Sequence, residues 1–411
     1  MSLDFLFFCV IVLAIVMIER GIYRSFLTPT IAVAVPYLVT VFLDRTVGKK
    51  IGFPQITDTN ILLLCLGICC FWIGSFSNVI IRNMRGRKVL TASKEPSADY
   101  YSKITKYVIV VEIITLIRYV FVFRRMGLLN YIGLDGGNGA MMDGLGAHLM
   151  FSMYPFIPQL FTQGILYKKR KYLAISGVAL LEAFFSFTKY HVIFLVVASL
   201  LYLLIYKPEW IGAIAIMAIA GSSALFCVNY IVNFFAKEWV MEENYLLRHF
   251  LKYLLGSIVY SSLAPDIMLP LTDTASIIFS QFTAIPNLFT NYLFGFTIYP
   301  IPKIPYITIM GNETGNVMNL IAHVYSTHNY LAGSMFLLFL GMATTTWIYR
   351  SKNNHVKVYL LAILMMSFFV PFFQSLPPNE IIVYCIILPK LFQTRFRFGS
   401  KPLFPNMRIK K

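Results

Sequence analysis

Charge is scarce in this chain: 13% of its 411 residues are charged, and the 18 acidic residues are about half as many as the 35 basic ones. With 58% of residues hydrophobic, there is more apolar surface than a soluble core of this length hides, which excludes an ordinary globular protein. Cysteine is equally uninformative as a staple. All six (Cys9, Cys65, Cys69, Cys70, Cys227 and Cys385) fall in apolar stretches, so no disulfide framework orders the polar part. No G-x-x-x-x-G-K-S/T and no G-x-G-x-x-G after a strand occur, which excludes an ATP-driven pump within the chain, and H-E-x-x-H is missing too. No internal repeat appears, against the matching halves of an inverted-repeat transporter. The net charge of +17 punctuates apolar segments instead of forming a soluble basic face, so it marks topology and excludes nucleic acid as a partner.

What is present is a series of apolar spans at roughly 3–18, 26–43, 61–81, 108–123, 149–166, 173–188, 191–206, 210–234, 331–349, 358–375 and 380–393. Each is near the length that crosses about 30 Å of hydrocarbon. The first has Asp4 where a signal peptide has a basic region and no small-residue cleavage site, so a retained helix is expected. Alternating the sides of eleven spans collects 24 of the 35 Lys and Arg residues on one side, which the positive-inside rule makes cytoplasmic. The amino terminus is then outside and the carboxyl terminus inside. The expected organisation is an all-α polytopic membrane protein in three parts: 1–235 with eight spans, 236–330 as a large extracytoplasmic loop with interfacial helices, and 331–411 with three spans and a basic cytoplasmic tail. Residues 275–299, apolar but broken by Pro286, are open to a re-entrant or an interfacial reading. The other outer elements are the glycine-rich stretch Gly133–Gly146, a lid or a plain connector, and the turn Thr188–His191.

Several short stretches carry a resemblance. FLTPT at Phe26–Thr30 enters a span, and FWIGS at Phe71–Ser75 lies in the third. Asn316 and Val317, then Tyr325, then Gly333 and Ser334, stand at the end of the large insert. In layout and in these stretches the chain resembles the Wzy-type polymerases of oligosaccharide repeat units. It departs from them at Thr327, His328 and Asn329, which stand near that family's acidic, aromatic and glycine positions, and Lys189 stands where an arginine is frequent. The resemblance implies about eleven transmembrane helices in a GT-C-like arrangement, in the bacterial cytoplasmic (inner) membrane with the active face outside. It implies polymerisation of undecaprenyl-diphosphate-linked repeat units into O-antigen or capsular polysaccharide, without metal or cofactor. The implied partners are the lipid-linked oligosaccharide and membrane lipid, with a chain-length regulator and a flippase of the same pathway.

That chemistry needs fixed cations for a diphosphate leaving group and a hydrogen-bond acceptor or base for the acceptor hydroxyl. The candidate cations are Arg118, Arg124, Arg125, Lys189, Arg248 and Lys252. Arg118 lies inside a span, where it either faces a polar partner or snorkels outward. Glu182, also within a span, is expected to pair with Arg118 or Lys189. Arg248 and Lys252 are four apart on an amphipathic segment that reads as an interfacial helix. The carboxylates of the insert show no acid and base spacing. Histidine is rarer: His148, His191, His249, His323, His328 and His355 are all there are. His323 and His328 are the candidate catalytic bases, with His249, Tyr325, Asn316 and Glu182 in support; the alternative for each histidine is a hydrogen-bonded structural role. The offset of five between His323 and His328 does not build a zinc site. An O-antigen ligase or other carrier-lipid glycosyltransferase and a lipid-linked oligosaccharide flippase stay open as alternatives.

Overall fold

The computed structural model describes residues 2–83, 85–90, 96–128, 131, 144–186, 189–217, 220–221, 223–224, 227, 231, 245–263, 274–300, 304–310, 313–315, 317–369 and 376–393. Helix dominates them. In chain order they form α1 (Leu3–Tyr23), α2 (Pro29–Leu43), α3 (Asp58–Arg82), α4 (Ala98–Met126), α5 (Gly144–Met153), α6 (Ile157–Leu166), α7 (Arg170–Phe185), α8 (Lys189–Tyr206), α9 (Tyr245–Leu263), α10 (Thr274–Phe279), α11 (Ala284–Phe294), α12 (Leu320–Tyr325), α13 (Tyr330–Arg350), α14 (Asn354–Met365) and α15 (Leu376–Gln393). A two-stranded antiparallel ribbon, β1 (Ile307–Met310) and β2 (Glu313–Gly315), lies between α11 and α12. The starts of α2, α3, α4, α12 and α13 are fixed by Thr28, Thr57, Ser97, Asn319 and Asn329, whose side chains accept the backbone N–H groups that a first turn leaves over.

Four segments among the described residues are long and apolar enough to cross a membrane: Leu3–Tyr23, Pro29–Gly48, Asp58–Arg82 and Tyr330–Arg350. The chain is an all-α membrane protein in that sense. The sequence leads one to expect eleven spans, and several of those places hold something shorter. The expected span at 149–166 falls on two ten-residue helices, α5 (which begins earlier, at Gly144) and α6, separated by a turn around Pro155, because a proline inside a helix removes a hydrogen bond and clashes with the preceding turn. Residues 275–299, which are not among the eleven, hold α10 and α11, of 6 and 11 residues, neither long enough to span. Of the expected span at 210–234, 11 of 25 residues lie outside the described ones.

The tightest packing joins α3 to α13. A Cβ added at Gly74 would lie 1.8 Å from the Leu338 carbonyl oxygen, and one at Gly341 would lie 2.0 Å from that of Phe71, so the two backbones touch where only glycine fits. Polar side chains complete this seam: Thr345 Oγ1 donates to Ser75 Oγ at 2.9 Å, Thr346 Oγ1 donates to Asn78 Oδ1 at 2.7 Å, and Asn78 Nδ2 donates to the Met342 carbonyl at 3.2 Å. Small residues and side-chain hydrogen bonds are what hold helices together where no hydrophobic drive separates protein from lipid.

The end of the insert is tied into the bundle through one buried node. The Tyr37 hydroxyl donates to Asn319 Oδ1 at 3.1 Å and the Ser367 carbonyl at 2.9 Å, Asn319 Nδ2 donates to the Ser257 carbonyl at 2.9 Å, and Ser257 Oγ donates to the Phe368 carbonyl at 2.5 Å. That node sets α12 between α3 and α13, with Ile321 against Gly67 and Tyr325 against Gly333. The helix α9, read from sequence as lying on the bilayer surface, has Leu251, Leu255, Ile258, Val259 and Tyr260 buried, and it packs on α2 and β1.

Candidate functional site

Helices α4, α5 and α15 pack on one another. On α4, Arg118 and Arg125 are seven residues apart, two helical turns, and so share one face about 10 Å apart along the axis. With Ile114, Ile117, Phe121 and Val122 they line an open groove of about 320 Å³. The walls are apolar and largely exposed, while the two guanidinium groups are its cationic features. Gly146, near the start of α5, leaves the space that the Arg118 side chain occupies: a Cβ there would lie 2.1 Å from Arg118 Nη1. Arg118 therefore rests on the α5 backbone beside the groove.

Two residues along α5 from Gly146, His148 Nδ1 lies 2.7 Å from Glu380 Oε1 of α15. Tyr384, one turn beyond Glu380 and on its face, donates its hydroxyl to the same oxygen at 2.5 Å. The other oxygen, Glu380 Oε2, is buried and accepts no hydrogen bond. The His148 side chain is 34% exposed and that of Glu380 9%. Below this pair the hydroxyls of Tyr107 (α4) and Ser152 (α5) are 2.5 Å apart, so the junction is polar over two turns.

The residues singled out from sequence scatter. Arg118 and Arg125 come together; Arg124 is exposed one position away from Arg125. Lys189 opens α8, and Arg248 and His249 belong to the first turn and a half of α9, with their side chains outside the described ones, as is all of Asn316. Lys252 is half-buried. Glu182 (α7) is buried, and neither of its carboxylate oxygens accepts a hydrogen bond; a second carboxylate, Glu112 of α4, is buried too. Of the two partners expected for it, Arg118 forms no pair with it, and the Lys189 side chain lies outside the described ones. Instead the Glu182 backbone carbonyl accepts from the Tyr119 hydroxyl at 2.6 Å.

The two histidines of the insert differ. His323 has no exposed surface, and burial pushes its imidazole down to about 4, which keeps it neutral at ordinary pH and encloses it away from a hydroxyl arriving from outside. His328 is exposed with a left-handed backbone, φ 57°, and its Nδ1 lies 3.1 Å from the Tyr330 hydroxyl. Tyr325 supports α13, its hydroxyl 2.9 Å from Ser334 Oγ. Among the described residues no three His, Cys, Asp or Glu side chains converge as a metal site.

Sequence reasoning passed over Glu380 and Glu112 and gave His148 no role. The available signal was an ionisable side chain inside an otherwise apolar stretch, which is costly and therefore informative. Compared with protein-family models, with curated proteins and with solved structures, the chain finds no match in any of the three.

Proposed function

We propose that this chain is a membrane-embedded glycosyltransferase that acts on a glycan carried by a polyprenyl diphosphate, and that it extends such glycans in the manner of the Wzy-type repeat-unit polymerases it resembles. The observation that carries this reading is the groove on α4. A polyprenyl diphosphate is an anion on an apolar tail, and the groove pairs Arg118 and Arg125 with the side chains of Ile114, Ile117, Phe121 and Val122. Guanidinium forks match phosphate oxygens geometrically and keep their charge at every relevant pH. In the transition state the bond from the anomeric carbon to the phosphate oxygen breaks and negative charge grows on the diphosphate, so cations fixed beside it lower the barrier. The finer picture belongs to the same proposal: eleven spans in a GT-C-like arrangement, a bacterial cytoplasmic membrane, and a working face on the outer side.

The test is the surface glycan of a host that lacks the gene. A ladder of chain lengths should collapse to a single repeat unit on its anchor, return with the wild-type chain and stay collapsed with the double variant Arg118→Ala/Arg125→Ala present at wild-type level in the membrane. An unchanged ladder in the deletion host overturns the reading. Loss of every anchored unit replaces polymerisation with ligation or translocation of the lipid-linked glycan.

A further inference from the structure

A carboxylate taken out of water is expensive, so the groups gathered round one are informative. Glu380 is such a carboxylate. It places one oxygen, Oε1, against both His148 Nδ1 and the Tyr384 hydroxyl and leaves Oε2 buried with no partner. A carboxylate only accepts, so the contact of 2.7 Å assigns the ring proton of a neutral His148 to Nδ1. The lone pair is then on Nε2. The ring is held by Glu380 while a third of the side chain stays open, and two positions earlier on the same turn of α5, on a different face, Gly146 carries the Arg118 side chain. A ring oriented by a carboxylate, a side chain that is partly open and a cation on the same turn of the helix suit a general base.

We propose that His148 is the general base of the transfer reaction and that Glu380 is the residue that positions it. This rests on the reading of the α4 groove as a site for a glycan on a polyprenyl diphosphate. The hydroxyl of the acceptor sugar gives its proton to His148 Nε2. The electron pair of that O–H bond, now on oxygen, forms the new bond to the anomeric carbon of the donor. The bond from that carbon to the phosphate oxygen breaks, and its electron pair leaves with the diphosphate, which Arg118 and Arg125 hold. The proton on Nε2 passes to water at the open edge of the ring. Glu380 keeps its contact with Nδ1 and stabilises the imidazolium that forms.

The experiment uses the full chain in detergent or vesicles, with the lipid-linked repeat unit extracted from the deletion host as the probe. His148→Asn keeps a donor for Glu380 and so spares the fold, but it removes the base. It should lower kcat by about 100-fold or more, the range that a positioned base contributes, with KM within threefold of wild type. His148→Gly should recover part of the lost rate on addition of free imidazole, which a structural defect would not do. Glu380→Gln should lower kcat by about 10-fold or more without imidazole rescue, since its own imidazole is present but misdirected. Wild-type turnover by His148→Asn overturns the role of His148 and leaves the functional reading standing, as does a slow His148→Gly chain, inserted and as thermally stable as wild type, that imidazole does not rescue. A wild-type chain that neither binds nor elongates the extracted lipid overturns the functional reading and the base with it.

Discussion

An imidazole shut away from water is held to one protonation state, and its enclosure then works as a pH sensor for stability. His323 shows this. Its value of about 4 lies below the ordinary 6.5 because burial penalises the charged form. The unfolded chain binds the proton more readily, so the stability contributed by the neutral ring is present in full above about pH 6.5 and is lost as pH falls toward 4, by on the order of 3 kcal/mol at most. The expected outcome is a thermal midpoint in detergent that drops between pH 7 and pH 4.5, with a smaller drop in His323→Gln; equal slopes for the two chains would show that other groups dominate. The same enclosure marks how far individual residues were legible. That Arg118 is special followed from a cation inside an apolar stretch. That His148 meets Glu380 did not, since they are 232 residues apart and neither carries a local pattern that names the other.

At the scale of helices, the close approach of α3 and α13 is the contact least tolerant of added bulk. In Gly341→Ala the new methyl group would meet the Phe71 carbonyl oxygen at 2.0 Å, and backbone cannot rotate away as a side chain can. A loss of about 1–3 kcal/mol or more is expected from such overpacking, read as a lower thermal midpoint and a lower yield of folded protein. Gly177→Ala is the control, because a Cβ there would meet nothing within 4 Å; equal effects of the two would remove the seam as the cause. The helices themselves were legible from apolar run length and capping residues, as at Thr57 and Ser97. The break between α5 and α6 was legible too, in Pro155, but a run of apolar residues outweighs one proline when length alone is scored. Which face a glycine offers, and to whom, is set by tertiary packing and leaves no mark in a local window.

For the whole molecule, orientation is the property to measure. Reporter fusions after Arg87 and Lys171 should behave as cytoplasmic, and fusions near Gly139 and Asp273 as external, because positive charge is retained on the inner side; an external signal at Arg87 would reverse the scheme. The α3–α13 seam bears on the same question. Cys70 meets Ser334, Ser75 meets Thr345 and Asn78 meets Thr346, so the two helices run in the same direction. Two spans that cross a bilayer the same way have an odd number of crossings between them, a condition that the five expected spans between α3 and α13 meet. The partners in this seam are 264 to 270 residues apart, which has a consequence for biogenesis. The third helix leaves the ribosome long before its mate exists, and through most of synthesis its serine and asparagine must be shielded from lipid by an insertase or by provisional neighbours. Nascent chains that stop short of residue 330 would carry that polar stripe permanently uncovered, as a mark for membrane quality control.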